Sequence, residues 1–258
     1  MSEPSTFPGD TQPNAPPPAG IDLSITIAAY REAENLAVML PSIKAAAAAL
    51  TPNYEVLVVD TQEPMDDTAA ICATHGVRHM YRTGGNSYGD AQRTIIANAR
   101  GKYMLNMDAD GSHGPEYFAR MWAERNRFDI VIGSRYAKGG HTENPAILIA
   151  MSYALNVVFR VAFSIKAKDV TNSFRLYNRS ILTPLKLESN DFDILEEILI
   201  KVVLAKPPAT VGEVPVTFAR RKAGESKRKL VQFAFGYLTT LKRMRGFANQ
   251  AKQENKSK

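Results

Sequence analysis

Asp108 and Asp110 stand one residue apart at the end of an apolar run, in Lys102-Tyr-Met-Leu-Asn-Met-Asp-Ala-Asp-Gly-Ser-His113. Two carboxylates with a small residue between them make a hard oxygen site, the kind that takes Mg2+ or Mn2+ carrying a diphosphate. The spacing is common in proteins, so its meaning depends on what positions it. Residues 103–107 read as a buried strand. At the end of a central parallel strand, the acids enter the crevice where open α/β sheets bind ligands. His113 is either a cap or surface group, or a further contact to the ion. The remaining histidines, His75, His79 and His141, lack metal-ligand spacing and read as surface residues. Cys72 is the one cysteine. It excludes an internal disulfide, fits a reducing compartment and sits where a helix needs packing rather than a nucleophile.

The elements that must position these groups follow from periodicity. Strands are expected at 23–28, 54–60, 77–81, 103–107 and 129–133. Helices are expected between them, ending near 50, over 67–75, over 91–99 and over 115–125. That alternation predicts a three-layer fold with a mostly parallel sheet and right-handed crossovers. Beyond Arg135 the pattern changes. A polar loop over 134–145 precedes an apolar helix over 146–163. Residues 169–177 mix polar groups with strand formers, and 191–201 have helical spacing. Residues 211–218 read as an edge strand, because Pro215 cannot donate to a ladder. A basic amphipathic helix over 230–247 closes the series.

Hydrophobic residues make up 45% of the 258, enough for one large α/β domain. Residues 1–20 are rich in Pro, Ser, Thr, Gly and Asn and read as a disordered leader. They lack a basic and an apolar region, so no signal peptide is expected. No membrane span is expected either, since the longest apolar stretch, 145–165, is interrupted by Ser152, Asn156 and Arg160. The net charge is +6, with the excess gathered over 220–245. That favours an anionic partner, such as a phosphorylated substrate or an acidic membrane face. Nucleic acid is the weakest of the anionic partners, because the basic cluster lacks the interleaved aromatics of a single-strand platform, and none is expected.

Six segments stand in one order: Ala28-Ala-Tyr-Arg-Glu32, Val58-Val-Asp60, Met107-Asp-Ala-Asp110, Gly133-Ser-Arg-Tyr136, Asp169-Val-Thr-Asn-Ser-Phe-Arg-Leu-Tyr177 and Gly224-Glu-Ser-Lys227. Together they resemble the family 2 glycosyltransferases of GT-A (Rossmann-like) fold, most closely the dolichyl- or polyprenyl-phosphate mannose synthases. The resemblance covers residues 21–227, leaving 228–258 as a basic helix and polar tail.

The resemblance implies a nucleotide sugar, GDP-mannose or a UDP-hexose, bound by Ala28, Tyr30, Glu32, Val59, Asp60, Thr61, Asp108 and Ser226. It places the metal on Asp108 and Asp110, with Ser112 supplying a further oxygen. Asp110, Arg135, Glu197, Arg221 and Lys227 match the catalytic positions. Of these, Arg135 lies near the metal, Arg221, Ser226 and Lys227 in a basic closing loop, and Glu197 beneath the sugar pocket. Gly84, Gly85 and Gly89 read as a turn flanking the nucleotide, and Asp169, Ser173 and Arg175 as the acceptor side. The implied reaction is inverting transfer of a hexose to a polyprenyl phosphate. The enzyme would work in the cytoplasm, peripherally on the membrane or with a membrane subunit. A soluble or cell-wall acceptor, with Glu197 or Asp193 as base, and a non-catalytic nucleotide-sugar binder are the rivals. Ala28 and Arg31 stand where the family has proline and asparagine, and Thr61 where it has a second acid. These departures bear on which nucleotide is read.

Overall fold

Strand side chains alternate between two cores, one on each face of a single large sheet. In this computed structural model the described residues are 20–205, 207–219 and 239–249. Strands β1 (Leu23–Ala28), β2 (Tyr54–Asp60), β3 (Arg78–Tyr81), β4 (Tyr103–Asp108) and β5 (Ile130–Ser134) alternate with helices α1 (Ala33–Ala48), α2 (Thr68–Thr74), α3 (Tyr88–Asn98) and α4 (Phe118–Ala123). Then come β6 (His141–Thr142), α5 (Ala146–Phe163), β7 (Arg175–Asn178), α6 (Ile194–Val203), β8 (Val211–Pro215) and β9 (Thr217–Phe218). Ile25, Val58, Leu105 and Val131 pack with Leu36, Leu40 and Ile43 of α1 and with Phe118. Leu57, Met104, Ile130 and Ile132 pack on the other face with Ile95 of α3, Phe159 of α5 and Ile198 of α6. Period-two alternation in buried strands is what gives a three-layer fold its two cores.

The sheet order is β3-β2-β1-β4-β7-β5-β8. All neighbours are parallel except β7, which runs antiparallel to both β4 and β5. The mostly parallel sheet was expected, whereas the β7 wedge was not. It has a consequence for the site: a chain entering β7 must start at the end where β4 finishes. The polar turn 169–174 is thereby delivered to the acid pair.

Several boundaries differ from expectation. Helix α3 starts at Tyr88 rather than at 91, because Ser87 and Asp90 form a capping box. Burial opposes ionisation of Asp90, but its bonds to Ser87 and Arg93 outweigh that and hold its carboxyl below the usual range. Gly89, expected in a turn, therefore belongs to a helix, where its amide donates to the Asn190 carbonyl at 2.7 Å. The expected edge strand is divided into β8 and β9, with Pro215 opposite Ser134 on the outermost strand. Cys72 is fully buried, and burial pushes its thiol up to about 12, as a packing residue requires.

Arg175, expected on the acceptor side, is instead fully buried. Its guanidinium donates to the carbonyls of Asn172 (2.7 Å), Val170 (2.6 Å) and Leu195 (2.7 Å). It folds the polar turn and ties it to α6. Arg175→Met keeps much of the volume but orphans those carbonyls. The expected loss is ~3 kcal/mol of unfolding free energy, read as a lower urea midpoint at unchanged slope. A loss below about 1 kcal/mol would contradict this role.

Candidate functional site

The ends of three adjacent parallel strands meet at the site. Register pairs Ala28 with Val59 on one side and with Asp108 on the other. The segments after β2, β1 and β4 therefore leave the sheet side by side. Tyr30 is exposed there, and Glu32 stands at the N-cap position of α1, its carboxylate accepting from the Asn35 side-chain amide at 2.7 Å. Asp66 satisfies the first turn instead, accepting from the backbone amide of Ala33 (2.9 Å), and also from that of Thr68 (3.0 Å). Arg31 adopts φ 56, a left-handed conformation that asparagine tolerates better than arginine.

Asp60 is nearly buried, and its Oδ1 accepts from the Thr61 amide at 2.7 Å. Thr61 in turn donates its hydroxyl to the Glu63 carbonyl at 2.7 Å, closing the turn where an acid was expected. Val59 is fully buried, and its carbonyl accepts from the Ala29 amide at 2.9 Å. Its side chain belongs to the core. His79 is also not the surface residue expected, since its Nε2 lies 3.6 Å from Asp60 Oδ2. Arg82 was not foreseen. Its buried guanidinium donates to the carbonyls of Ala29 (2.5 Å) and Asn86 (2.6 Å), clamping the loops after β1 and β3 together.

At the acid pair, Gly111 takes φ 76, and the chain turns back over the end of β4. Asp110 Oδ1 accepts from the Ser112 amide (3.0 Å) and hydroxyl (2.5 Å). Asp108 Oδ2 accepts from the Ser173 hydroxyl at 2.8 Å. Ser173 thus belongs to the acid pair itself, brought there by the antiparallel course of β7. His113 is 2% exposed and stacks on Phe174 with centroids 4.8 Å apart. Its Nδ1 accepts from the Asp108 amide at 3.1 Å, so it is neither a surface group nor a metal ligand.

Arg135 is engaged by Asp169 through Nε (2.8 Å) and Nη2 (2.7 Å), and by Thr171 at 2.8 Å. Its backbone amide bonds the same carboxylate, so Asp169 fixes the start of the polar loop after β5. Arg221, Ser226 and Lys227 lie outside the described residues. The described chain reaches Ala219, whose amide donates to the Ser112 carbonyl at 3.1 Å, beside the acid pair.

Glu197 is fully buried, pairs with Lys201 at 2.7 Å, and accepts from the amides of Glu188 (3.1 Å) and Ser189 (2.7 Å). Arg243 reaches it at 3.3 Å from the helical segment 239–249. That segment packs on the domain through buried Thr240, Met244 and Ala248. Asp193, the other candidate base, accepts from the Thr240 hydroxyl at 2.5 Å.

The acid pair fits a hard divalent ion. Among the described residues, no cluster of three or more His, Cys, Asp or Glu side chains could enclose a metal. Two carboxylates and a hydroxyl suit an ion that keeps several waters and takes its remaining oxygens from a diphosphate. The Asp108 side chain is 24% exposed. Its Oδ1 has no hydrogen-bond partner among the described residues.

Residues 24–185 match the family model described as glycosyl transferase family 2. A dolichol-phosphate mannosyltransferase from Pyrococcus furiosus is 35% identical over 214 residues, covering 80% of this chain and 59% of that protein. A polyprenol monophosphomannose synthase from Mycolicibacterium smegmatis is 31% identical over 79% of each chain. An undecaprenyl-phosphate mannosyltransferase from Micrococcus luteus is 31% identical over 78% of this chain and 85% of that one. Among solved structures, glucosyl-3-phosphoglycerate synthase from Mycobacterium tuberculosis with Mn2+, uridine diphosphate and glucosyl-3-phosphoglycerate superposes at TM-score 0.65. It shares 16% identity, over 88% of this chain and 81% of that one, a likeness of fold alone. The expected GT-A fold is borne out.

Glu197 yields a pH test. Burial raises its pKa, but bonds from Lys201, Ser189 and Glu188 outweigh that and hold it below the ordinary value of 4.5. A lowered folded-state pKa contributes stability above the ordinary value, lost as pH falls through the folded one. Glu197→Gln is expected to cost ~3 kcal/mol at neutral pH. That gap should narrow steadily as pH drops below 4.5. A gap that does not change with pH would rule out this pairing.

Proposed function

We infer the reaction from one premise: the chain belongs to glycosyl transferase family 2. It transfers a hexose, mannose by analogy with its relatives, from a nucleoside diphosphate sugar to a polyprenyl phosphate. The observation that carries this is the placement of Asp108 and Asp110 where the ends of β1, β2 and β4 meet. A donor lying across those ends presents its base and ribose to the Tyr30–Asp60 side and its diphosphate to the acids.

Asp108 and Asp110, with Ser112 adjacent, would hold Mg2+ or Mn2+. Such an ion neutralises charge on the departing diphosphate. Ser173 and Ser112 keep the carboxylates oriented toward it. The acceptor phosphate oxygen forms a bond to the anomeric carbon as the bond to the diphosphate breaks, with inversion. A phosphate brings an ionised oxygen, so the step requires no strong base. A hydroxyl acceptor would require one. Glu197 and Asp193 are already committed to Lys201 and to Thr240, which favours the phosphate acceptor.

A lipid acceptor must be met at a membrane, and α5 is the element suited to meeting it. Contrary to expectation, its 18 residues are long and apolar enough to cross a bilayer, with mean hydropathy 1.9 and only 17% of them buried. Its polar residues point inward. Asn156 is buried and accepts from the Thr171 amide at 3.1 Å, on the same turn that holds Arg135. The outward face carries Ile147, Tyr153, Val158 and Val161, 44% to 78% exposed, and exposed Lys166 and Lys168 follow. A helix bound by its polar face to the domain lies along a bilayer surface rather than through it, and lysines beside an apolar face favour anionic lipid.

Two measurements test this. With GDP-mannose, Mn2+ and a polyprenyl phosphate, the chain should form a lipid-linked sugar, and Asp110→Ala should lower the rate about 10²-fold or more. Full activity in that variant, or label passing only to soluble acceptors, would overturn the reading. In flotation with phosphatidylglycerol vesicles, joint Ile147→Glu, Val158→Glu and Val161→Glu substitution should weaken binding about 10²-fold. Equal flotation of both proteins would remove α5 from the membrane.

A further inference from the structure

The His113 ring is a buried titratable group that the transfer step leaves unused. We propose that His113 is a positioning residue, held between the Asp108 amide and Asn172 so that the turn presents Asp108 and Asp110 to the ion. The inference rests on the metal-site reading above.

Strand β7 pairs with β4 only as far as Asn106, opposite Arg175. Two residues further on, His113 Nδ1 takes up the Asp108 amide at 3.1 Å. An accepting Nδ1 carries no proton, so the ring N–H is at Nε2. There it donates to Asn172 Oδ1 at 3.1 Å. The Asn172 amide nitrogen donates onward to the Gly133 carbonyl at 2.5 Å. One buried chain of bonds therefore joins the ends of β4 and β5. The next residue, Ser173, holds the Asp108 carboxylate at 2.8 Å. Backbone and side chain of Asp108 are thus gripped from a single dipeptide, once directly and once through the imidazole. Phe174 stacks on the ring, and Phe218 meets it edge-on with centroids 5.2 Å apart. A phenyl ring fits such a slot but offers the amide no acceptor. Outer contacts of this kind orient ligands and commonly change metal affinity by about 10- to 100-fold.

The test is Mn2+ binding to the full chain, read by electron paramagnetic resonance of free Mn2+ without substrate. His113→Phe should weaken binding at least about tenfold, and His113→Asn, whose amide oxygen can replace Nδ1, should return it to within roughly threefold of the parent. Unchanged affinity in His113→Phe overturns the inference, and so does equal weakening in both variants, which would mean packing alone. Asp110→Ala is the control: if it binds Mn2+ normally, the metal-site reading itself fails. In case the variants do not fold, 15N-histidine spectra of the parent protein read the ring directly. The Nε2–H tautomer, with its Nδ1 signal shifting on Mg2+ addition, is expected. An Nδ1–H tautomer overturns the proposal.

Discussion

Two carboxylates one residue apart repel each other, and a chain left to itself would splay them. The surroundings of Asp108 and Asp110 oppose that splaying. Ser173 fastens one oxygen of Asp108, and Ser112 fastens one oxygen of Asp110. These donors, two hydroxyls and the Ser112 amide, are neutral and satisfy an oxygen without cancelling its charge. Among the described residues, the neighbouring arginines bond elsewhere. Arg135 is committed to Asp169, and Arg175 to backbone carbonyls.

The sheet topology makes this possible. Had β5 lain directly beside β4 in the parallel series, residues 169–174 would not have reached the acids. Inserting β7 between them brings Asn172 and Ser173 to the end of β4. Gly133, at the end of β5, completes the junction, and a Cβ there would meet Phe174 at 2.6 Å. The wedge thus links the loop of the acid pair, the start of the polar loop after β5, and the turn that holds α5.

Much of this was legible in the sequence. The β/α alternation, the acid pair after a buried strand and the edge character of Pro215 came from periodicity and residue chemistry. The misses have identifiable causes. A short strand such as β7, flanked by polar residues, has no periodicity to reveal its direction. Family likeness placed Glu197 beneath the sugar pocket, but its partners Lys201, Arg243 and the 188–189 turn meet it only in the fold. His113 looked ordinary because its partners, the Asp108 amide and Asn172, meet it only in the fold. Interruptions in the apolar stretch at Ser152 and Asn156 hid an outward face that is continuous once those residues turn inward.

The most direct test of the central claim is a crystal of the protein soaked with Mn2+ and a nucleoside diphosphate. The account predicts one anomalous peak in contact with Asp108 and Asp110, with diphosphate oxygens completing its shell and the base lying toward Tyr30 and Asp60. A nucleotide seated elsewhere, or a metal peak that does not touch these carboxylates, would contradict it.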